Sequence, residues 1–159
     1  MNDPQVILLD HRDPIIASRI KDLQQESYAV ESRLINYDRL PYLVQDANGI
    51  MTSGEIFIGC LLGNDLAGLM SFEKEDPRSM TICRLVISPS YFSRGFALRL
   101  LKFLEEQDPV TRYLYVQTAK KNHPAINLYK KGGFQLIREF SAPDGLKLVR
   151  LMKTIGIGS

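Results

Sequence analysis

The stretch YFSRGFALRLL, Tyr91 to Leu101, puts an arginine and a glycine where a strand-like run gives way to a helix-like run. Upstream, Met80 to Ile87 (MTICRLVI) is rich in β-branched and apolar residues, which predicts a strand, and Pro89 ends it. Downstream, Arg94 to Gln107 has apolar residues at Ala97, Leu100, Leu101 and Leu104, the helical period, with Arg99, Lys102 and Glu106 left for water. Asp108-Pro109 stops that helix. The first amides of a helix have no intrahelical partner, and the helix dipole adds about half a positive charge there. Gly95 and Ala97 leave this backbone approachable and Arg94 adds charge, a combination that suits a phosphate group. The same residues have a purely structural explanation: Gly95 eases the chain reversal and Ala97 packs on the sheet. The pattern by itself leaves both readings open.

Working outward, Gln5 to Leu9 predicts a short edge strand. Asp13-Pro14 reads as an N-cap followed by proline at the first helical position, and Ile15, Ile16, Ile20 and Leu23 follow with helical spacing. The helical run extends, with interruptions, to about Leu43, and Pro41 predicts a break. Asn48-Gly49 reads as a turn. Glu55 to Leu62 and Leu66 to Glu73 predict two strands joined by Gly63-Asn64-Asp65 in a hairpin-type connection, with a turn at Asp76-Pro77. Tyr113 to Thr118 predicts a strand and Pro124 to Lys131 a short helix closed by Gly132-Gly133 as a left-handed cap. Phe134 to Phe140 and Leu146 to Lys153 form a last hairpin around Pro143-Asp144-Gly145, and Thr154 to Ser159 is expected to fray. The unit from Met80 to Thr118 is strand, helix, strand, hence parallel with a right-handed crossover, while the hairpins are antiparallel. The result is α/β: one mixed sheet covered by helices.

At 159 residues, one domain with one core is expected over residues 1–159. The net charge of +2 is too small to argue for nucleic acid or an anionic membrane as partner. No apolar run approaches the ~20 residues a membrane helix needs, and MNDPQVILLD is too acidic and too short in its apolar part for a secretory signal. Cys60 and Cys83 belong to no C-x-x-C pair, and two histidines far apart offer no zinc spacing. A reduced, metal-free cytoplasmic protein is expected, with Cys83 as a small core residue. There is no G-x-x-x-x-G-K-[ST], no G-x-G-x-x-G after the first strand, and no G-x-S-x-G.

A second stretch lies downstream: NHPAINLYKKGGF, Asn122 to Phe134. Together the two stretches resemble the GNAT family, the GCN-related N-acetyltransferases that use acetyl-CoA. The family's first signature, approximately V-x-P-x-x-[QR]-x-x-G-x-[GA], maps onto Ile87, Pro89, Phe92, Gly95 and Ala97. Its second, N-x-x-A-x-x-L-Y-x-x-x-G-F, maps onto Asn122, Ala125, Leu128, Tyr129, Gly133 and Phe134. Both fit without gaps, and the order of elements agrees across nearly the whole chain. Phe92 is a departure, standing where the family usually has Gln or Arg.

The resemblance implies the GNAT fold: a central mixed sheet of about seven strands, helices on both faces, and a splay between the fourth and fifth strands. It implies acetyl-CoA as co-substrate, no metal, and an amine acceptor, small molecule or peptide. The loop Phe92, Ser93, Arg94, Gly95, Phe96 and Ala97 would cradle the pyrophosphate, with Arg94 or Arg99 replacing the help lost at Phe92. Leu85, Val86 and Ile87 would pair with the pantetheine arm, and Asn122 would reach that arm from the other side. A backbone N–H near Ile87 would steady the oxyanion, an effect of about 3 kcal/mol in comparable sites. Tyr129 sits where the family places the acid for the departing thiolate; its ordinary role otherwise is to anchor the short helix, as that of Asn122 is to cap it. Relatives carry a basic carboxylate at places occupied here by Thr81 and Gln117, neither of which serves. Glu73 and Glu55 on neighbouring strands, or a water relay, are the replacements, although the ordinary reading of each glutamate is a solvated strand-end residue. Those gaps keep a second reading open, a domain that binds acyl-CoA without catalysis, as a sensor or accessory subunit. The acceptor segment between the first helix and Gly54 mixes Glu26, Tyr28, Glu31, Tyr37 and Tyr42 with Arg33 and Arg39 and selects no substrate. Many relatives pair as homodimers; nothing in this sequence decides that.

Overall fold

The computed structural model describes residues 3–156. The expected elements form around one seven-stranded sheet: β1 (Gln5–Leu9), α1 (Pro14–Ile35), a single 3₁₀ turn (Pro41–Leu43), α2 (Ala47–Met51), β2 (Ile56–Leu62), β3 (Asp65–Asp76), β4 (Ser79–Ile87), a 3₁₀ turn (Pro89–Tyr91), α3 (Phe96–Glu105), β5 (Tyr113–Ala119), α4 (His123–Lys131), β6 (Gln135–Ser141) and β7 (Lys147–Thr154). The strand order is β1-β2-β3-β4-β5-β7-β6, so β1 is an edge strand as expected. Only β4 and β5 are parallel; every other neighbour pair is antiparallel.

Each face of the sheet buries its own apolar layer. On one face α3 and α4 bring Phe96, Leu100, Leu104, Ile126 and Tyr129 onto Ile58, Met70, Met80, Leu114 and Leu151. On the other, α1 and α2 bring Ala17, Ile20, Tyr28 and Ile50 onto Phe57, Leu69 and Val86. Burial of this apolar surface is the main driving force for both layers.

The differences from expectation have local causes. The first helix ends at Ile35, short of Leu43, because Asn36 takes a left-handed conformation (φ 52°). The Tyr37 N–H then bonds the Ser32 carbonyl at 3.0 Å and the Asn36 N–H the Arg33 carbonyl at 3.3 Å, a Schellman closure built without glycine. Asn48-Gly49 lies inside a helical turn, because the Asp46 carboxylate caps it from outside by accepting the Gly49 N–H at 2.8 Å. After α4, the left-handed residue is Gly133 (φ 98°) and not Gly132. The third helix starts at Phe96, two residues later than Arg94. At the C-terminus the chain is held as far as Ile155, whose N–H reaches the Arg112 carbonyl at 2.7 Å; residues 157–159 of the expected frayed tail lie outside the described residues.

One buried cation joins the layer over β4 to the sheet. Arg84 is 2% exposed. Its Nε and Nη2 donate to the two oxygens of Glu55 at 2.8 and 3.1 Å, and its Nη1 donates to Gln24 of α1 and to Gln45, both at 2.5 Å. The guanidinium lies 4.0 Å from the centroid of the Tyr42 ring. Four separate segments are thus held by one side chain. Glu55 is therefore no solvated strand-end residue. Burial would raise its carboxyl, but Arg84 above all, with the Ser71 hydroxyl, outweighs burial and holds it below the usual carboxylate value.

Replacing Arg84 by Ala takes the buried counter-charge from Glu55 and the guanidinium donor from Gln24 and Gln45, and should cost about 3–5 kcal/mol in urea unfolding. The sign with pH follows from the lowered Glu55 value. Stability from the pair is present above the ordinary Glu range and is lost as pH falls through the folded value. In the wild type this acid-dependent loss should be visible; in Arg84→Ala it should be largely gone.

Candidate active site

β4 begins as a neighbour of β5 and ends apart from it. The ladder runs from Ser79–Tyr113 to Ile82–Val116 and stops, although both strands continue. The reason is visible one residue later. In the pairing of β3 with β4, Ser71 faces Arg84 and Phe72 faces Ile82, so Cys83 is an extra residue, a bulge. The bulge bends β4 and flips its face: Met80 and Ile82 lie in the α3/α4 layer, as do Leu85 and Ile87, while Val86 lies in the α1 layer. Cys83 is consequently not a core residue; it is half-buried and lines the opening between the strands.

Backbone direction in the splay follows by alternation. The Ser88 N–H bonds the Ala67 carbonyl at 2.8 Å, toward β3. Leu85 and Ile87 therefore point their N–H and C=O groups toward the gap, and Val86 points away from it. The Ile87 carbonyl is engaged by the Ser27 hydroxyl of α1 at 3.0 Å. Of the strand residues expected at the site, the structure brings Leu85 and Ile87 to the cavities and leaves Val86 packed under α1.

Two cavities meet across this gap. The first, about 500 Å³, is lined by Phe92, Ser93, Arg94, Gly95, Phe96 and Ala97, all of the expected loop, together with Leu85, Ile87, Leu128 and Lys131. Ser93 (φ 65°) and Gly95 (φ 80°) are both left-handed, which turns the chain abruptly into α3. A Cβ on Gly95 would meet no protein atom within 4 Å, so packing does not require the glycine there; the turn does. No side chain caps α3, so its first amides are left to face the cavity. Arg94 and Lys131 supply the positive charge around it; Arg99 is not among the lining residues. Phe92 is 50% exposed on the rim.

The second cavity, about 180 Å³, lies on the α1 side of the gap. Tyr28 and Glu31 of α1, Tyr42, Cys83 and Leu85 of β4, Gln117 of β5 and Asn122 form its walls. Leu85, Ala125 and Tyr129 belong to both cavities. Tyr129 therefore stands at the junction. Its position is fixed from behind by the end of α4: the Phe134 N–H bonds the Tyr129 carbonyl at 2.9 Å, and the two rings meet edge to face at 5.4 Å. Burial, then the charge of Glu31, pushes the Tyr129 phenol well above its ordinary value, so it keeps its proton at neutral pH. Asn122 caps α4, its side-chain oxygen accepting the Ala125 N–H at 3.2 Å, and also lines the second cavity.

Glu73 stands beside this site without lining it. It is exposed on β3, paired with Thr81, and lines neither cavity. It lies near Glu55 and Cys83, their ligand atoms all within 4.8 Å, but Glu55 is already bound to Arg84. Arg84 itself is the residue missed by the sequence reading: an arginine in an apolar strand was the available signal. The segment after α1 is tied to the β6–β7 turn by Asp144, which accepts from the Tyr37 hydroxyl at 2.5 Å and pairs with Arg39 at 3.3 Å.

The acetyltransferase (GNAT) family matches residues 17–134. The chain belongs to this family. Among curated proteins, UPF0157 protein YqkA of Bacillus subtilis (strain 168) is 35% identical over 140 residues, which is 88% of this chain and 40% of that protein, so the chain spans less than half of that relative's length. Solved GNAT-type structures share the fold. The aminoglycoside 6'-acetyltransferase type Ii superposes with a TM-score of 0.77 at 17% identity, covering 98% of this chain and 99% of that one. The ribosomal-protein-S18-alanine N-acetyltransferase of Escherichia coli gives 0.74 at 15%, covering 99% and 97%. An aminoglycoside 6'-N-acetyltransferase complexed with coenzyme A gives 0.75 at 15%, covering 98% and 99%. No described helix of the present chain is long and apolar enough to cross a membrane.

Cys83 offers a direct check of the cavity's electrostatics. Burial, then the charges of Glu55 and Glu73, pushes its thiol up to about 12. Although accessible from the cavity, it should react with iodoacetamide at pH 8 at least about tenfold more slowly than free cysteine, with mass spectrometry locating the adduct.

Proposed function

We propose that this protein transfers an acetyl group from acetyl-CoA to a primary amine, by direct attack within a ternary complex. The observation that carries this reading is the uncapped start of α3, turned by left-handed Ser93 and Gly95 into a cavity that opens onto the splayed strands. The diphosphate of coenzyme A would lie against the amides of Phe96 and Ala97, with Arg94 and Lys131 beside it. The pantetheine arm would pair with Leu85 and Ile87, whose backbone groups lack a strand partner on that side. The thioester would then reach the junction where Tyr129 stands, with the amine approaching through the cavity under α1.

Each side chain then has a task. The amine lone pair attacks the thioester carbonyl carbon, the C–N bond forms, and the oxyanion is steadied by the backbone N–H of Ile87, which points into the gap. The C–S bond breaks, and Tyr129 donates its proton to the leaving sulfur. A phenol held above its ordinary value is a weak acid but a dependable donor, and it is recharged by the proton that leaves the attacking nitrogen. The short α4 holds that donor in place through its glycine closure.

Acetyl-CoA should raise the melting temperature, and a panel of primary amines and peptides should release free thiol only when an acceptor is present. Acetyl-CoA binding without any amine-dependent thiol release would reassign the chain as a binding domain. Tyr129→Phe should lower kcat with acetyl-CoA affinity little changed; an unaltered kcat would remove Tyr129 from the chemistry. Gly95→Glu should abolish acetyl-CoA binding in calorimetry, because it sets bulk and negative charge against the α3 amides.

A further inference from the structure

The buried stripe of α1 runs Ala17, Ile20, Gln24, Tyr28, Ile35, with Glu31 in the turn between the last two. The spacing puts Glu31 on the face that meets the sheet. Its neighbours on that stripe are accounted for: Ala17, Ile20 and Tyr28 pack on β2–β4, and Gln24 binds Arg84. Glu31 is half-buried, receives no hydrogen bond from any described residue, and lines the second cavity as its only carboxylate. A carboxylate left without a partner on a buried face is costly for stability alone. Packing gives no reason for it.

From the geometry we infer that Glu31 is the residue that receives the acceptor: it holds the incoming primary ammonium across the cavity from Tyr129 and takes its proton before attack. This rests on the acetyltransferase reading and supplies the base that Thr81, Gln117 and Glu73 do not. The groups facing Glu31 fit the task. Tyr28 stands one turn back on α1 and lines the cavity beside Tyr42 of the 3₁₀ turn, whose ring already holds the Arg84 guanidinium at 4.0 Å, so aromatic surface borders the carboxylate. Tyr129 comes from α4, Cys83 and Arg84 from β4, and neutral Gln117 and Thr118 from β5. Arg84, the only cation among the lining residues, is committed to Glu55. The acceptor class is therefore a primary alkylammonium with a slim approach, since the cavity is about 180 Å³. Burial raises the Glu31 carboxyl above its ordinary value, toward the range a base needs.

The protons balance. The ammonium gives one proton to the Glu31 carboxylate, which releases it to water. The neutral amine attacks, and the second proton leaves the new C–N nitrogen and ends on the thiol sulfur through Tyr129. The sum is amine cation plus acetyl-CoA to amide, free thiol and one released proton.

The test is Glu31→Gln, which keeps shape and removes the base. With the amines turned over by the wild type, kcat/KM should fall about 10²-fold or more and the acidic limb of its pH profile should vanish, while acetyl-CoA affinity in calorimetry stays the same. The raised carboxyl value adds a sign. Ionised Glu31 burdens the fold, so Glu31→Gln should melt higher than wild type near pH 8, with the gap closing as the pH falls through the folded value toward the ordinary Glu range. Turnover within threefold of wild type, an unaltered acidic limb, or a loss of acetyl-CoA affinity would each overturn the assignment. If the wild type binds acetyl-CoA but acetylates no amine, the acetyltransferase reading fails, and Glu31 is decided separately. Its carboxyl carbon resonance, identified by its loss in Glu31→Gln, is then titrated with butylammonium on the acetyl-CoA-loaded protein. A shift retains the ammonium site, and no shift ends it.

Discussion

The parting of β4 from β5 after Ile82 and Val116 is the constraint on which the rest depends. Two parallel strands that separate inside a sheet leave backbone N–H and C=O groups without partners, which a protein interior does not tolerate at no cost. Here the separation is built by one extra residue, Cys83, in β4. It also reverses which side chains face which helical layer. Ile82, Leu85 and Ile87 share a layer that strict alternation would have split. Both cavities exist because of it, and they share Leu85, Ala125 and Tyr129 because they are two ends of one gap.

The two faces of the gap are held by different physics. The α3/α4 face is a continuous apolar layer, and its polar feature is the bare start of α3. The α1 face carries a polar knot at Arg84, with Glu55, Gln24 and Gln45 around it and Tyr42 stacked above. Such a knot adds little net stability over an apolar replacement, but breaking it is expensive. Its geometry fixes the positions of α1 and of the segment that follows, which together form the wall of the second cavity. Specificity of position, more than energy, is what the buried charge supplies.

The parts of the site that could be read from the sequence were those encoded by neighbours in the chain. Gly95 and Ala97 at the head of an amphipathic run, and Asn122 to Phe134 with its closing glycines, each lie within one turn of the element they serve. Misreadings came where a non-glycine residue did unusual work or where a partner was distant. Asn36 ended a helix that composition would continue, and Asp46 started one at an apparent Asn-Gly turn. Glu55 looked solvated because its partner Arg84 is 29 positions away, and Glu73 looked available because its strand passes near the site. Arg84 gave an apparent flaw in an apolar strand, and the bulge beside it hid which face it occupied.

The sequence by itself determined the order and type of the elements, the loop that opens α3 and the family to which the chain belongs, because those depend on local periodicity, turn chemistry and motif spacing. Only the tertiary structure decided where the strands part, which alternating residues face the gap, and that Tyr129 comes to stand at the junction of two cavities while Glu73 remains outside. Those outcomes depend on pairing register and on contacts between residues far apart in the chain, which no local window contains.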